Sequence, residues 1–200
     1  MNTTEAQPVS MTERSSLIRL YLIRGVVALA WAAAFAAAHA TLNAVAITLL
    51  VAYPLIDAVS SLLDYRAVPD GPERRVIALN GALSTVVAFA LGIAGTIGAA
   101  ATLGVFGIWA VLSGAAQLVV GLRRRGPVLG KQWPTLISGG LSFLVGATYV
   151  AQATSESPSL DILSIYATGG GAFFIAQAAL LAWKARSHRS NGLARRDTTA

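Results

Sequence analysis

The sequence contains no cysteine, so it forms no disulfide, no thiolate metal site and no cysteine nucleophile. Charge is scarce too: Asp, Glu, Lys and Arg make up 12% of the residues, where about 25% is usual in a soluble domain. The two histidines, His39 and His188, lie near opposite ends of the chain and cannot build a His-rich metal site. Catalytic signatures are missing as well. Gly126 to Gly130-Lys131 falls one residue short of a phosphate-binding loop and lacks the following Ser or Thr. There is no G-x-S-x-G, no H-E-x-x-H and no pair of intramembrane carboxylates. The expectation is a protein that is not an enzyme, with no catalytic residues, no cofactor and no metal.

What the chain does have is long apolar runs. Hydrophobic residues form 55% of its 200 positions, and the mean hydropathy is +0.63. About 20 apolar residues cross the hydrocarbon core as a helix, and six runs qualify: 20–38, 42–63, 76–94, 99–122, 133–151 and 160–183. The links are legible. Asp64-Tyr65-Arg66 through Pro69-Asp70-Gly71-Pro72 to Arg75 is a charged turn, Gly95-Thr96-Ile97-Gly98 a tight uncharged one, and 123–131 a basic one rich in helix breakers.

A net charge of +6 raises the question of nucleic acid. The basic residues sit in clusters between apolar runs, as membrane proteins carry them, so no nucleic-acid partner is expected. All 15 Lys and Arg fall before span one or at its start, between spans two and three, between four and five, or after six. The opposite links hold only His39, Glu156 and Asp161 as titratable groups. Because Lys and Arg resist translocation, both termini are expected in the cytoplasm, in a plasma (inner) membrane. The expected partners are the lipid bilayer, with anionic headgroups at the cytoplasmic face, and a second copy or another membrane protein.

The spans are related in pairs. Each odd-numbered span carries a glycine phrase: Arg24-Gly25-Val26-Val27-Ala28, Asn80-Gly81-Ala82-Leu83-Ser84 and Ser138-Gly139-Gly140-Leu141-Ser142. Each even-numbered span carries a central aromatic. The glycine precedes it by 28 residues (Gly25 to Tyr53), 28 (Gly81 to Trp109) and 27 (Gly139 to Tyr166). The fold class expected is therefore all-α, a polytopic membrane protein of three parallel helical-hairpin repeats at about 20–66, 75–125 and 133–186. Disordered tails are expected at 1–16 and 187–200. Arg14, Arg19 and Ala38-His39-Ala40 also imitate a cleavable signal peptide, but the repeat requires the first span as a retained helix. Small-xxx-small stripes (Ala28, Ala32, Ala36; Ala88, Gly92, Thr96; Ser138, Ser142, Gly146) let helices approach closely. Gly169-Gly170-Gly171 reads as a tight crossing or as a hinge.

These hairpins resemble the HdeD-like family of small six-helix bacterial membrane proteins. The resemblance covers about residues 20–186. It rests on Leu22-Ile23-Arg24-Gly25-Val26, on Tyr53-Pro54-Leu55-Ile56-Asp57, and on the stretches from Trp109 to Gly114 and Tyr166 to Gly171. Where the family often follows its second-helix acid with glycine, this chain has Asp57-Ala58. The resemblance implies a non-enzymatic role in acid or envelope stress tolerance, with no catalytic residue to carry over. The alternative is a small transporter or channel for a solute or proton.

An ionisable group inside a span costs about 2.5–3.5 kcal/mol on insertion scales, which makes it a functional pointer. Asp57 lies roughly 10 Å from the cytoplasmic end of span two at 1.5 Å per residue. Arg24 sits at similar depth in span one, since both lie nearly equally far from the turn near residues 40–41. An Arg24–Asp57 ion pair is expected, either pinning the first hairpin or acting as a pH switch that opens when Asp57 is protonated. Asn80, Gln117 and Gln177 are expected to bond across helix interfaces, or to line a polar path. His39 is expected as a solvated loop histidine, with pH sensing as the sharper alternative. Glu156 and Asp161 are expected to cap or solvate the longest external loop.

Overall fold

The computed structural model describes residues 11–67, 70–123 and 133–197. Among these residues there are six α-helices and no strand: α1 Met11–Ala38, α2 Ala44–Ala67, α3 Pro72–Ile97, α4 Ala99–Arg123, α5 Trp133–Ala153 and α6 Asp161–Asp197. Each contains a stretch long and apolar enough to cross a membrane: Ile18–Ala38, Ala44–Arg66, Pro72–Ile97, Ala99–Arg123, Trp133–Ala153 and Asp161–Trp183. This is a multi-pass membrane architecture, with boundaries within a few residues of those read from the sequence. α1 and α6 continue as helix into the polar stretches 11–16 and 187–197, which were expected as tails. Residues 1–10 and 198–200, and most of the basic link, lie outside the described residues.

Helix ends follow local chemistry. The Asn43 side-chain oxygen accepts hydrogen bonds from the backbone N–H groups of Val45 and Ala46, both at 3.0 Å, and so caps α2. Pro72 opens α3, where its missing N–H costs nothing. Gly98 alone separates α3 from α4, at φ 143° and ψ −177°. That conformation is essentially restricted to glycine. Inside α2, Pro54 leaves the carbonyl of Leu50 without its helical donor. The carbonyl next to it, that of Leu49, accepts from the Trp31 indole at 2.7 Å.

The chain divides into two compact units, Trp31–Tyr166 and a smaller one made of Met1–Ala30 with Ala167–Ala200. In the larger unit Phe35, Leu50, Leu91, Phe106 and Leu163 are buried, yet many other large apolar side chains point outward, with Phe89 73% and Leu79 70% exposed. Ser84, Thr102, Ser113 and Ser142 are buried, with Ala32, Ala46, Ala88 and Ala94. A soluble protein does not expose apolar surface on this scale; lipid tails would cover it without cost.

The small residues set helix spacing. On α4, Gly107 and Gly114 lie seven residues apart and meet Gly146 and Gly139 of α5, also seven apart, in antiparallel pairs. A Cβ on Gly114 would stand 2.5 Å from the Phe143 nitrogen and 2.6 Å from the Gly139 carbonyl oxygen. α2 and α3 are joined in the same way, by Gly81 over Ser61 and Gly95 over Ile47. In the smaller unit, Gly25 of α1 meets Gly171 and Ile175 of α6. Of the glycine triplet, only Gly171 makes such a crossing; Gly169 and Gly170 face open space.

Gly114→Ala is therefore expected to destabilise the protein by about 1–3 kcal/mol, the usual cost of overpacking. Gly140, also helical, has nothing within 4 Å of its Cβ position. Gly140→Ala should instead stabilise by about 0.5–1 kcal/mol through helix propensity alone. Thermal unfolding of the two variants in detergent checks the opposite signs.

Candidate functional site

Asp57 sits one turn beyond Tyr53 on α2, and α3 presents two donors to it. Asn80 and Ser84 lie four residues apart, on one face of α3. The Asp57 Oδ2 atom accepts from Asn80 Nδ2 at 2.8 Å and from Ser84 Oγ at 2.7 Å. Asn80 Nδ2 also reaches Ser61 Oγ, at 3.0 Å. From α4, Trp109 Nε1 donates to Ser84 Oγ at 2.9 Å. Trp109, Ser84 and Asp57 thus form a relay across three helices in which each donor points toward the carboxylate. Hydrogen bonds to a carboxylate are roughly twice as strong as neutral ones, and Ser84 is fully buried, where such a chain polarises best.

Aromatic rings surround the relay. The Tyr53 centroid lies 4.5 Å from that of Trp31, 5.7 Å from Phe106 and 5.9 Å from Trp109. The contacts run on from Phe106 to Tyr149 and from Tyr149 to Tyr166. A second polar layer joins α4, α5 and α6. Ser138 Oγ donates to Gln117 Oε1 at 3.1 Å, and Tyr166 Oη to Ser142 Oγ at 2.8 Å. Ser142 Oγ in turn reaches the Ala110 carbonyl at 3.3 Å. Tyr149 Oη donates to the Ile162 carbonyl at 2.9 Å. The Ser113 hydroxyl is buried with no hydrogen-bond partner. A mostly apolar groove between α2 and α3, lined by Leu55, Val59, Leu62 and Ile77, reaches Ser61 at the edge of this polar cluster.

The structure thus brings Asp57 and Asn80 together and gives Gln117 a partner in Ser138. Gln177 is half-buried on α6. Arg24 belongs to the smaller unit, where its guanidinium lies 5.9 Å from the Phe174 ring centroid and Phe174 stacks on Tyr21. Arg24 falls in the smaller compact unit and Asp57 in the larger. His39 differs from the expected solvated loop histidine: its side chain is 16% exposed and its Nε2 lies 2.5 Å from Asp161 Oδ1. Near the charged turn, Arg74 pairs with Asp70 and stacks over Tyr65 at 4.2 Å.

Sequence reasoning missed Ser61, Ser84 and Ser142, and it read Trp109 and Tyr166 as spacing markers, not as donors. A signal was present: a serine stands three residues after both Gly81 and Gly139. Among the described residues no group of three His, Cys, Asp or Glu side chains comes together to hold a metal ion. No protein-family model, curated protein or solved structure matches this chain. Chemically, the arrangement joins helices through hydrogen bonds, those among α2, α3 and α4 at Asp57 ending on one carboxylate.

Ser84→Ala leaves the Trp109 N–H buried and unpaired, an omission that costs about 1–3 kcal/mol. In a double-mutant cycle with Trp109→Phe, the coupling should reach about 0.6–1.7 kcal/mol, the range for hydrogen bonds between membrane helices. Equilibrium unfolding in detergent measures it.

Proposed function

We propose that this chain is a non-enzymatic protein of the plasma membrane, with both termini cytoplasmic, built from three parallel copies of one hairpin. It serves tolerance of acid or envelope stress as a packed helical scaffold, not as a conduit. The observation that carries the scaffold reading is that polar side chains inside the spans bond to one another across helix contacts. Asp57 is held by Asn80 and Ser84, Gln117 by Ser138, and Ser142 by Tyr166. A water-filled path would leave such groups facing its lumen.

The repeat reading is supported by contacts at matched positions. Gly25, Gly81 and Gly139 each pack on an even-numbered helix at a matched position, Gly171 of α6, Ala58 of α2 and Gly114 of α4. The residue before each glycine meets a matched partner: Arg24 meets Phe174, Asn80 meets Ser61, and Ser138 meets Gln117. Phe35, Leu91 and Tyr149 are matched and buried to 2% exposure or less, and so are Leu50, Phe106 and Leu163. Trp109→Ser84 and Tyr166→Ser142 are one hydrogen bond made twice. The first hairpin has Ala28 at the serine position. In this register Arg24 takes the place of Asn80, and Asp57 that of the unpartnered Ser113.

The acid-stress reading rests on the resemblance to the HdeD-like family and on Asp57. Protonation removes the charge that strengthens its two hydrogen bonds, which loosens α2 from α3 at low pH. In a host strain lacking the gene, the wild-type chain should restore survival of acid challenge, and Asp57→Asn should restore less. The purified protein in liposomes should pass neither protons nor small solutes faster than protein-free liposomes. Clear flux, or full rescue by Asp57→Asn, would overturn this reading.

A further inference from the structure

His39 stands just past the last residue of α1, and both of its ring nitrogens face acceptors. Nδ1 lies 3.0 Å from two carbonyl oxygens at the helix end, that of Ala36 and that of Phe35, which also accepts the His39 backbone N–H at 2.9 Å. Nε2 lies 2.5 Å from Asp161 Oδ1, at the start of α6. A carbonyl oxygen cannot donate, so Nδ1 carries a proton. The remaining nitrogen then meets the carboxylate either as a second N–H or as a lone pair facing a protonated carboxyl. Both assignments hold one proton more than a neutral imidazole beside a carboxylate.

The surroundings favour the first assignment. The C-terminal end of α1 attracts a cation, and the N-terminal end of α6 attracts an anion. Ser159 Oγ donates to Asp161 Oδ2 at 2.7 Å, and the Asp161 backbone N–H returns a bond to Ser159 Oγ at 3.2 Å. These bonds aim Oδ1 at the imidazole. The Phe35 ring stacks on the histidine, with centroids 5.5 Å apart.

We propose that His39 and Asp161 form a proton-dependent clasp that fastens the end of α1 to the start of α6. The clasp closes when the imidazole is protonated on both nitrogens and releases when it loses that proton. Its two residues are 122 apart in sequence, so it joins the first hairpin to the last. In the register above, the matching position beside α4 is a contact between Ala153 and Gly104, with no ionisable group. The ionisable groups facing the clasp are few. α1 has none between Trp31 and the histidine, the turn to α2 offers only the uncharged Thr41 and Asn43, and the turn around Gly98 has none. The segment before α6 adds one further carboxylate, Glu156.

The sign of the pH dependence follows from the proton count. A closed state that holds an extra proton is favoured by acid and loses that advantage as rising pH withdraws the proton. The clasp is thus made in mild acid and undone in alkali. This direction is opposite to that proposed for Asp57, which loosens in acid, so the two are separable.

The test uses the full-length protein in lipid nanodiscs, with His188→Gln throughout so that His39 is the only histidine. Ring-nitrogen NMR should show both nitrogens protonated at a pH where the Asp161→Asn protein already shows a neutral ring. Thermal unfolding should fall by about 2–4 °C between pH 6 and pH 8.5 in the parent, the shift expected for 1 kcal/mol in a chain of this size. His39→Gln and Asp161→Asn, both close in shape, should flatten that dependence and leave the Ser84–Trp109 coupling unchanged. Identical ring titration with and without Asp161, or the same pH dependence in all three proteins, overturns the clasp.

Discussion

Hydrocarbon offers a polypeptide neither hydrogen-bond partners nor a hydrophobic incentive to bury one helix against another. Every backbone group must therefore be satisfied within its own helix, and helices cohere only where surfaces fit closely or polar groups meet. In α4 and α5 the fit comes from glycine against glycine, Gly107 with Gly146 and Gly114 with Gly139, at separations where a methyl group has no room. That approach fixes the register along which Gln117 finds Ser138 and Ser142 finds the Ala110 carbonyl. The outward faces are left to bulky residues such as Phe89 and Leu79, whose packing partner is lipid.

Two kinds of contact divide the work of holding the chain. Glycine crossings join helices that follow one another across the Lys/Arg-bearing links, α2 with α3 and α4 with α5. Aromatic donors instead close the hairpins from inside, Trp109 onto Ser84 and Tyr166 onto Ser142. Where the two systems meet, Asp57 is the one carboxylate the relay ends on, and Ser84 serves both as its donor and as the acceptor for the Trp109 indole. At the Lys/Arg-free end of α1, His39 adds a fastening of a third kind, from its ring nitrogens to helix-end carbonyls and to Asp161.

Much of this was legible in the sequence because the rule that governs it is linear. Span lengths follow from bilayer thickness, and Gly98, Pro72 and Asn43 mark helix ends by chemistry local to each residue. Asp57 was legible as a polar group inside a span, since its cost is independent of its neighbours. Asn80 was legible in the same way, as a polar residue expected to bond across a helix interface, and it bonds Asp57; the second donor, Ser84, is a neutral residue that sequence charge does not flag. His39 was hidden for a different reason: its acceptor lies 122 residues away, and the helix-end carbonyls that fix its tautomer carry no sequence signature. Ser84 and Ser142 could have been found from their common offset to glycine, had aromatic N–H and O–H groups been counted as donors needing acceptors.

The central claim is that six spans place their links alternately on two sides of the membrane, with every Lys- or Arg-bearing link in the cytoplasm. The absence of cysteine makes the measurement clean, because any introduced thiol is the only one present. Single variants Thr41→Cys, Asp70→Cys, Lys131→Cys and Glu156→Cys would be exposed to a membrane-impermeant maleimide on intact cells and again after permeabilisation. The account predicts labelling of Thr41→Cys and Glu156→Cys on intact cells, and of Asp70→Cys and Lys131→Cys only once the membrane is opened. Labelling of Asp70→Cys or Lys131→Cys on intact cells, or a split between positions 41 and 156, would contradict it.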